Sequence, residues 1–166
     1  QQYPEEVAGE NAEEQLHAGM KEAFWQGRMQ EIEPEIYFDG AHNTSGIGMF
    51  TEAVNRLTAK DTYRPLLLFS MVKEKDYSTS IDMLTADISW EEMAVTTIPN
   101  ERGISFEKLE KLFEEDTDRP VTGYADYREA FRAMKEKKKP GQKFFCTGSL
   151  YFIGALMEVW KENCDD

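Results

Sequence analysis

A chain of 166 residues with 40% apolar and 12% aromatic content suits one domain with one core, and folding at that size buries roughly 70% of the surface its unfolded chain exposes. A formal charge of −13 argues against a nucleic-acid partner, because phosphate backbones are held by Lys and Arg that displace counterions; one small anion at a local site stays compatible with it. No stretch approaches the roughly 20 apolar residues of a membrane span, and the polar opening QQYPEEVAGENAEEQ lacks a signal-peptide core.

Residues 9–24 carry a helical pattern with no obvious sheet partner, as a connection to something upstream would. WQGRMQEIEPEIYF then reads as a Gly turn, a short strand, a Pro-containing turn and a first central strand. Five β-type runs follow one another: EIYFDG (35–40), RPLLLFSM (64–71), EMAVTTIP (92–99), PVTGYA (120–125) and KFFCTG (143–148). Each precedes a helical pattern, and several are nearly continuous in apolar residues, as strands covered on both faces must be. The expectation is an α/β, Rossmann-like three-layer domain whose mostly parallel sheet has about six strands, with one short antiparallel edge strand.

The connecting helices show a 3.6-residue apolar period. Ile47, Phe50, Val54 and Leu57 share one face, as do Phe106, Leu109 and Phe113, and as do Ile153, Leu156, Met157 and Trp160. Such stripes normally pack on the sheet. Ser105 has the position of an N-cap, although Lys108 stands where a capping box prefers Glu. MKEKKKPGQ (134–142) reads as a solvated basic helix end broken by Pro140 and Gly141. Cys146, inside KFFCTG, reads as core packing, and neither it nor Cys164 belongs to a CxxC or a metal-ligand pattern, so a reduced, cytoplasmic compartment is expected.

In open parallel sheets ligands bind beyond the carboxyl ends of the strands. Two stretches have that address. In YFDGAHNTSGIG, Asp39 and Gly40 end a strand and Asn43, Thr44 or Ser45 caps a helix; in FFCTGSLYF, Thr147 and Gly148 form the turn and Ser149 the cap. Both turns are expected to open on the same edge. The sequence contains neither GxxxxGK[ST] nor GxGxxG, so any nucleotide has to be shared with another domain. From spacing alone, Asp39 can be an Asx turn with His42 a surface residue beside it, or the two can face a phosphate or a metal.

YFDGAHN, preceded by WQGRMQEI and followed by FSMVKEKDY and FFCTGSLYFIG, resembles the C-terminal domain of folylpolyglutamate synthases, often bifunctional with dihydrofolate synthase, within the Mur ligase superfamily. The resemblance runs from about Phe24 to Trp160. Thr44 stands where that family usually has Pro, Glu74 replaces the first Asp of an Asp-Lys-Asp stretch, and Arg102 is what remains of a Pro-Arg-Ala segment.

The resemblance implies an enzyme that joins L-glutamate to the γ-carboxylate of folate or folylpolyglutamate through an acyl phosphate, with ATP and Mg2+ bound mainly by a larger N-terminal ATPase domain. Residues 1–24 would then be a remnant of the interdomain connection and 25–166 the ligase domain, inactive alone and monomeric. By motif, Arg28 and Asp39 would contact ATP, Asp39 and His42 would be catalytic, His42 and Ser149 would hold glutamate, and no metal would be bound in this domain. Lys75, Asp76 and Arg102 receive no role. A peptidoglycan precursor ligase and a non-catalytic doubly wound binding module are the alternative readings.

Overall fold

The computed structural model describes residues 28–165; the helical pattern at 9–24 and the proposed connection at 1–24 lie outside the described residues. Six strands, β1 (Gln30–Glu33), β2 (Ile36–Phe38), β3 (Leu66–Phe69), β4 (Glu92–Thr96), β5 (Val121–Tyr124) and β6 (Phe144–Thr147), form one sheet in the order β1-β2-β6-β3-β4-β5. β1 pairs antiparallel with β2 and every other pairing is parallel, as the alternation of apolar runs and helical patterns predicts. The helices are α1 (Thr44–Thr58), α2 (Tyr77–Asp87), α3 (Phe106–Asp116), α4 (Tyr127–Lys137) and α5 (Leu150–Cys164).

Period-two alternation sorts the strand side chains between two cores. Leu67, Phe69, Met93, Val95 and Phe145 meet Ile47, Phe50, Val54, Ile81, Leu84, Leu109 and Phe113, which places α1, α2 and α3 on one face. Leu66, Leu68, Ala94, Phe144 and Cys146 meet Phe131, Met134, Phe152, Ile153 and Leu156 of α4 and α5 on the other. The predicted stripes therefore face the core, fully buried at Ile47, Phe50, Val54, Leu109, Phe113, Ile153 and Leu156 and half-buried at Leu57, Phe106, Met157 and Trp160, the last donating its indole N–H to Glu33. Phe145 is central, stacked on Tyr37 at 5.1 Å and edge-on to Phe50 and Trp90.

The basic run is largely solvent-exposed, as read, and it is also paired. Lys135 pairs with Glu33 at 2.8 Å and Lys138 with Glu35 at 2.6 Å, while Lys137 pairs with Glu92. These lysines join the end of α4 to the amino ends of β4 and the β1–β2 hairpin, partners too distant in sequence for local pattern to supply.

The order of the strands creates the site. The first three parallel connections carry α1, α2 and α3 over one face and step outward from β2 to β3, β4 and β5. The chain then returns through α4 on the opposite face and inserts β6 between β2 and β3. Helices leaving the neighbouring strands β2 and β6 thus depart to opposite faces, which opens a crevice at their carboxyl ends.

Candidate active site at the carboxyl edge of the sheet

The two turns read as a shared rim are direct neighbours. Asp39 N–H donates to the Cys146 carbonyl at 2.9 Å and Gly148 N–H donates to the Ala41 carbonyl at 3.2 Å, so the β2 turn and the β6 turn are laced together at the same edge. Asn43 is the residue that caps α1, its side-chain oxygen accepting from Gly46 N–H at 2.8 Å. Ser149 caps α5, accepting from Tyr151 N–H at 3.2 Å.

Asp39 is 7% exposed, yet its carboxylate is well supplied with donors. Oδ2 accepts from Met29 N–H at 2.9 Å and Oδ1 from Ala41 N–H at 2.8 Å, the second closing an Asx turn. The Met29 amide reaches it because Met29 adopts φ 44, a conformation side chains seldom take. Burial pushes the Asp39 carboxyl above its ordinary range, opposed by the two amides and by the Arg28 charge. Each oxygen keeps acceptor capacity after one bond.

His42 is half-buried with Nδ1 2.9 Å from the Gly40 carbonyl. A carbonyl only accepts, so Nδ1 carries the proton in this contact. Arg28 is exposed just before β1, its Nη2 donating to Met49 Sδ at 3.8 Å. Arg28, Asp39 and His42 line one cavity of about 390 Å³ whose wall also includes Met49, Phe50 and Arg56 from α1.

Ser149 does not line that cavity. It is 1% exposed, sealed behind the β6 turn with its hydroxyl engaged in the cap. Residues given no role by the motifs complete the site: Met29, inside WQGRMQEI, supplies an amide, Met49 is 54% exposed on the cavity wall, and Arg56 adds a second guanidinium. Met49, an apolar residue off the stripe of Ile47, Phe50, Val54 and Leu57, was the available signal; Arg56 reads only as a helix-end cation.

Cys146 is fully buried and burial pushes its thiol well up, which makes it packing rather than chemistry. Among the described residues no three His, Cys, Asp or Glu side chains are grouped to hold a metal ion, and no helix is long and apolar enough to cross a membrane.

The fold and the cleft define the class: a Rossmann-like α/β domain with an arginine-bearing cleft at the carboxyl edge of its switch point. Residues 27–150 match the Mur ligase, glutamate ligase domain, and the chain belongs to that family. The Bacillus subtilis dihydrofolate synthase/folylpolyglutamate synthase is 28% identical over 157 residues, covering 90% of this chain and 34% of that protein. The Lacticaseibacillus casei folylpolyglutamate synthase is 26% identical over 147 residues, covering 87% and 32%. The chain therefore spans about a third of the length of these curated relatives. E. coli FolC in complex with ADP shares the fold at TM-score 0.74 and 20% identity, covering 84% of this chain and 32% of that one. A Mycobacterium tuberculosis folylpolyglutamate synthase complexed with ADP does so at 0.67 and 22%, covering 81% and 32%.

Proposed function

We propose that this chain is the amino-acid-ligating domain of a folylpolyglutamate synthase, which joins L-glutamate to the γ-carboxylate of a folate or folylpolyglutamate at the expense of ATP. The observation that carries the reading is the convergence of Arg28, Asp39 and His42 on one cavity beside the β6 turn. Relatives named for this activity support it.

The residues present fit a nucleotide as half of a site. Arg28 is a permanently charged, planar donor suited to phosphate, and the start of α1 adds amides and a favourable dipole beside it. Asp39 has acceptor capacity left for a nucleotide hydroxyl, while its two amide bonds fix the loop. The nucleotide supplies the phosphoryl group that activates the acceptor carboxylate. On this reading His42, whose Nδ1 is held by the Gly40 carbonyl, hydrogen-bonds the incoming glutamate and the transferred group. Ser149 contributes by ordering the neighbouring turn around the amino acid, since its hydroxyl is occupied.

The sequence lacks a phosphate-cradling P-loop and the described residues lack a metal-ligand cluster, so the reading assigns the P-loop and Mg2+ to an N-terminal ATPase domain preceding this one, in a monomeric cytoplasmic enzyme. Positioning and charge stabilisation dominate phosphoryl transfer, and a second domain that closes on the first is a suitable supplier of late contacts.

The test is ADP release by the full-length native protein. The reading predicts release only when folate and L-glutamate are both present, and a loss of roughly 100-fold or more in His42→Ala with an unchanged melting temperature. ADP release independent of glutamate, or wild-type turnover in His42→Ala, would contradict it.

A further inference from the structure

Across the β6 turn from the cleft, three segments of the carboxyl edge converge on one guanidinium. The stretch after β3 and the stretch after β4 run antiparallel: Val72 bridges Gly103, Lys73 N–H donates to the Arg102 carbonyl at 2.8 Å, and Ile104 N–H donates to the Met71 carbonyl at 3.0 Å. Arg102 is fixed within that ladder by Asn100, whose side-chain oxygen accepts its N–H at 2.9 Å. Its side chain then reaches both ways. Nε donates to Glu74 Oε1 at 3.2 Å, Nη1 donates to the Tyr151 hydroxyl at 3.0 Å, and the guanidinium carbon lies 5.3 Å from the centre of the Tyr151 ring.

Arg102 and Glu74 are 50% and 53% exposed, so their pairing contributes little to global stability. What the cluster does is geometric. Glu74 lies in the loop that ends at Asp76, the cap of α2, and Tyr151 lies in the first turn of α5, two residues after Ser149. One planar fork therefore ties a loop to a helix start, a task that needs several donors in fixed directions and that a lysine cannot perform.

We propose that Arg102 is a positioning residue for the amino-acid side of the site: with Glu74 and Tyr151 it clasps loop 73–76 to the α5 turn, so that the two present one preformed wall to the incoming amino acid. The inference rests on the ligase reading above. It acts through placement, and small displacements of a binding wall weaken substrate capture before they touch the fold.

The full-length native protein tests it by steady-state kinetics on Arg102→Ala, Arg102→Lys, Glu74→Ala and the Arg102→Ala/Glu74→Ala pair, with hydrogen exchange of the 73–76 amides. Arg102→Ala is expected to raise KM for glutamate about tenfold with KM for ATP and the melting temperature unchanged, without rescue by Arg102→Lys. The paired variant is expected to be no worse than Arg102→Ala alone, because both changes open the same clasp, and amides 73–76 are expected to exchange faster. An unchanged KM for glutamate in an otherwise active enzyme, equal rises for both substrates, multiplying losses in the pair, or unaltered exchange would overturn the clasp and leave the ligase reading standing. A wild-type protein with no glutamate-dependent turnover would overturn both.

Discussion

Asp39 joins two demands in one side chain: it is buried to 7% exposure, and it must order the loop that carries His42. Burial raises its native pKa above the unfolded value of about 3.9, so the folded protein binds the proton more tightly than the unfolded chain. The contribution of this residue therefore makes stability fall as pH rises through the window above about 3.9. Asp39→Asn removes that dependence. Denaturant midpoints of wild type and variant, compared from neutral toward about pH 4, are expected to show wild type gaining on the variant as pH drops; a gap that stays constant or moves the other way would refute the assignment. Asp39 and His42 were legible as candidates because a strand end followed by Gly, His and a cap is a local pattern, whereas Arg28, before the first strand, was offered only by the family resemblance. That the Met29 amide closes on Asp39 was not, because it depends on a left-handed Met and a ten-residue return. The seal over Ser149 was equally non-local.

Beside the β6 turn runs the end of β3, the parallel neighbour of β6, with Ser70 N–H donating to the Thr147 carbonyl at 3.3 Å. Gly148 sits at φ 122, where a Cβ would stand 2.0 Å from the Ser70 carbonyl oxygen and 2.9 Å from the Phe69 ring. Gly148→Ala is expected to cost about 3 kcal/mol from backbone strain and overpacking, read as a shifted denaturant midpoint, and to separate the two turns that Gly148 N–H joins. A midpoint within experimental error of wild type would contradict this account of the rim. Elements set by local chemistry were readable in advance: Ser105 and Ser149 each cap the helix they were expected to start, and of the three candidates Asn43, Thr44 and Ser45 it is Asn43 that caps α1. The lysines at the end of α4 were not, since Glu33, Glu35 and Glu92, which hold them, belong to other strands and turns.

At the scale of the molecule, the acidic chain turns two arginines, Arg28 and Arg56, toward one cavity at the switch point of a sheet covered on both faces. Parallel order was legible from the continuous apolar runs; the insertion of β6 between β2 and β3, which opens the crevice, was not, because strand order is decided by packing between segments far apart in sequence. Hydrogen exchange on the full-length native protein, with and without ADP, Mg2+ and L-glutamate, tests the central claim most directly. The account predicts slowed exchange in segments 39–46 and 147–151 together when the ligands are present. Ligand protection confined to other parts of the protein, with both turns exchanging as in the free state, would contradict it.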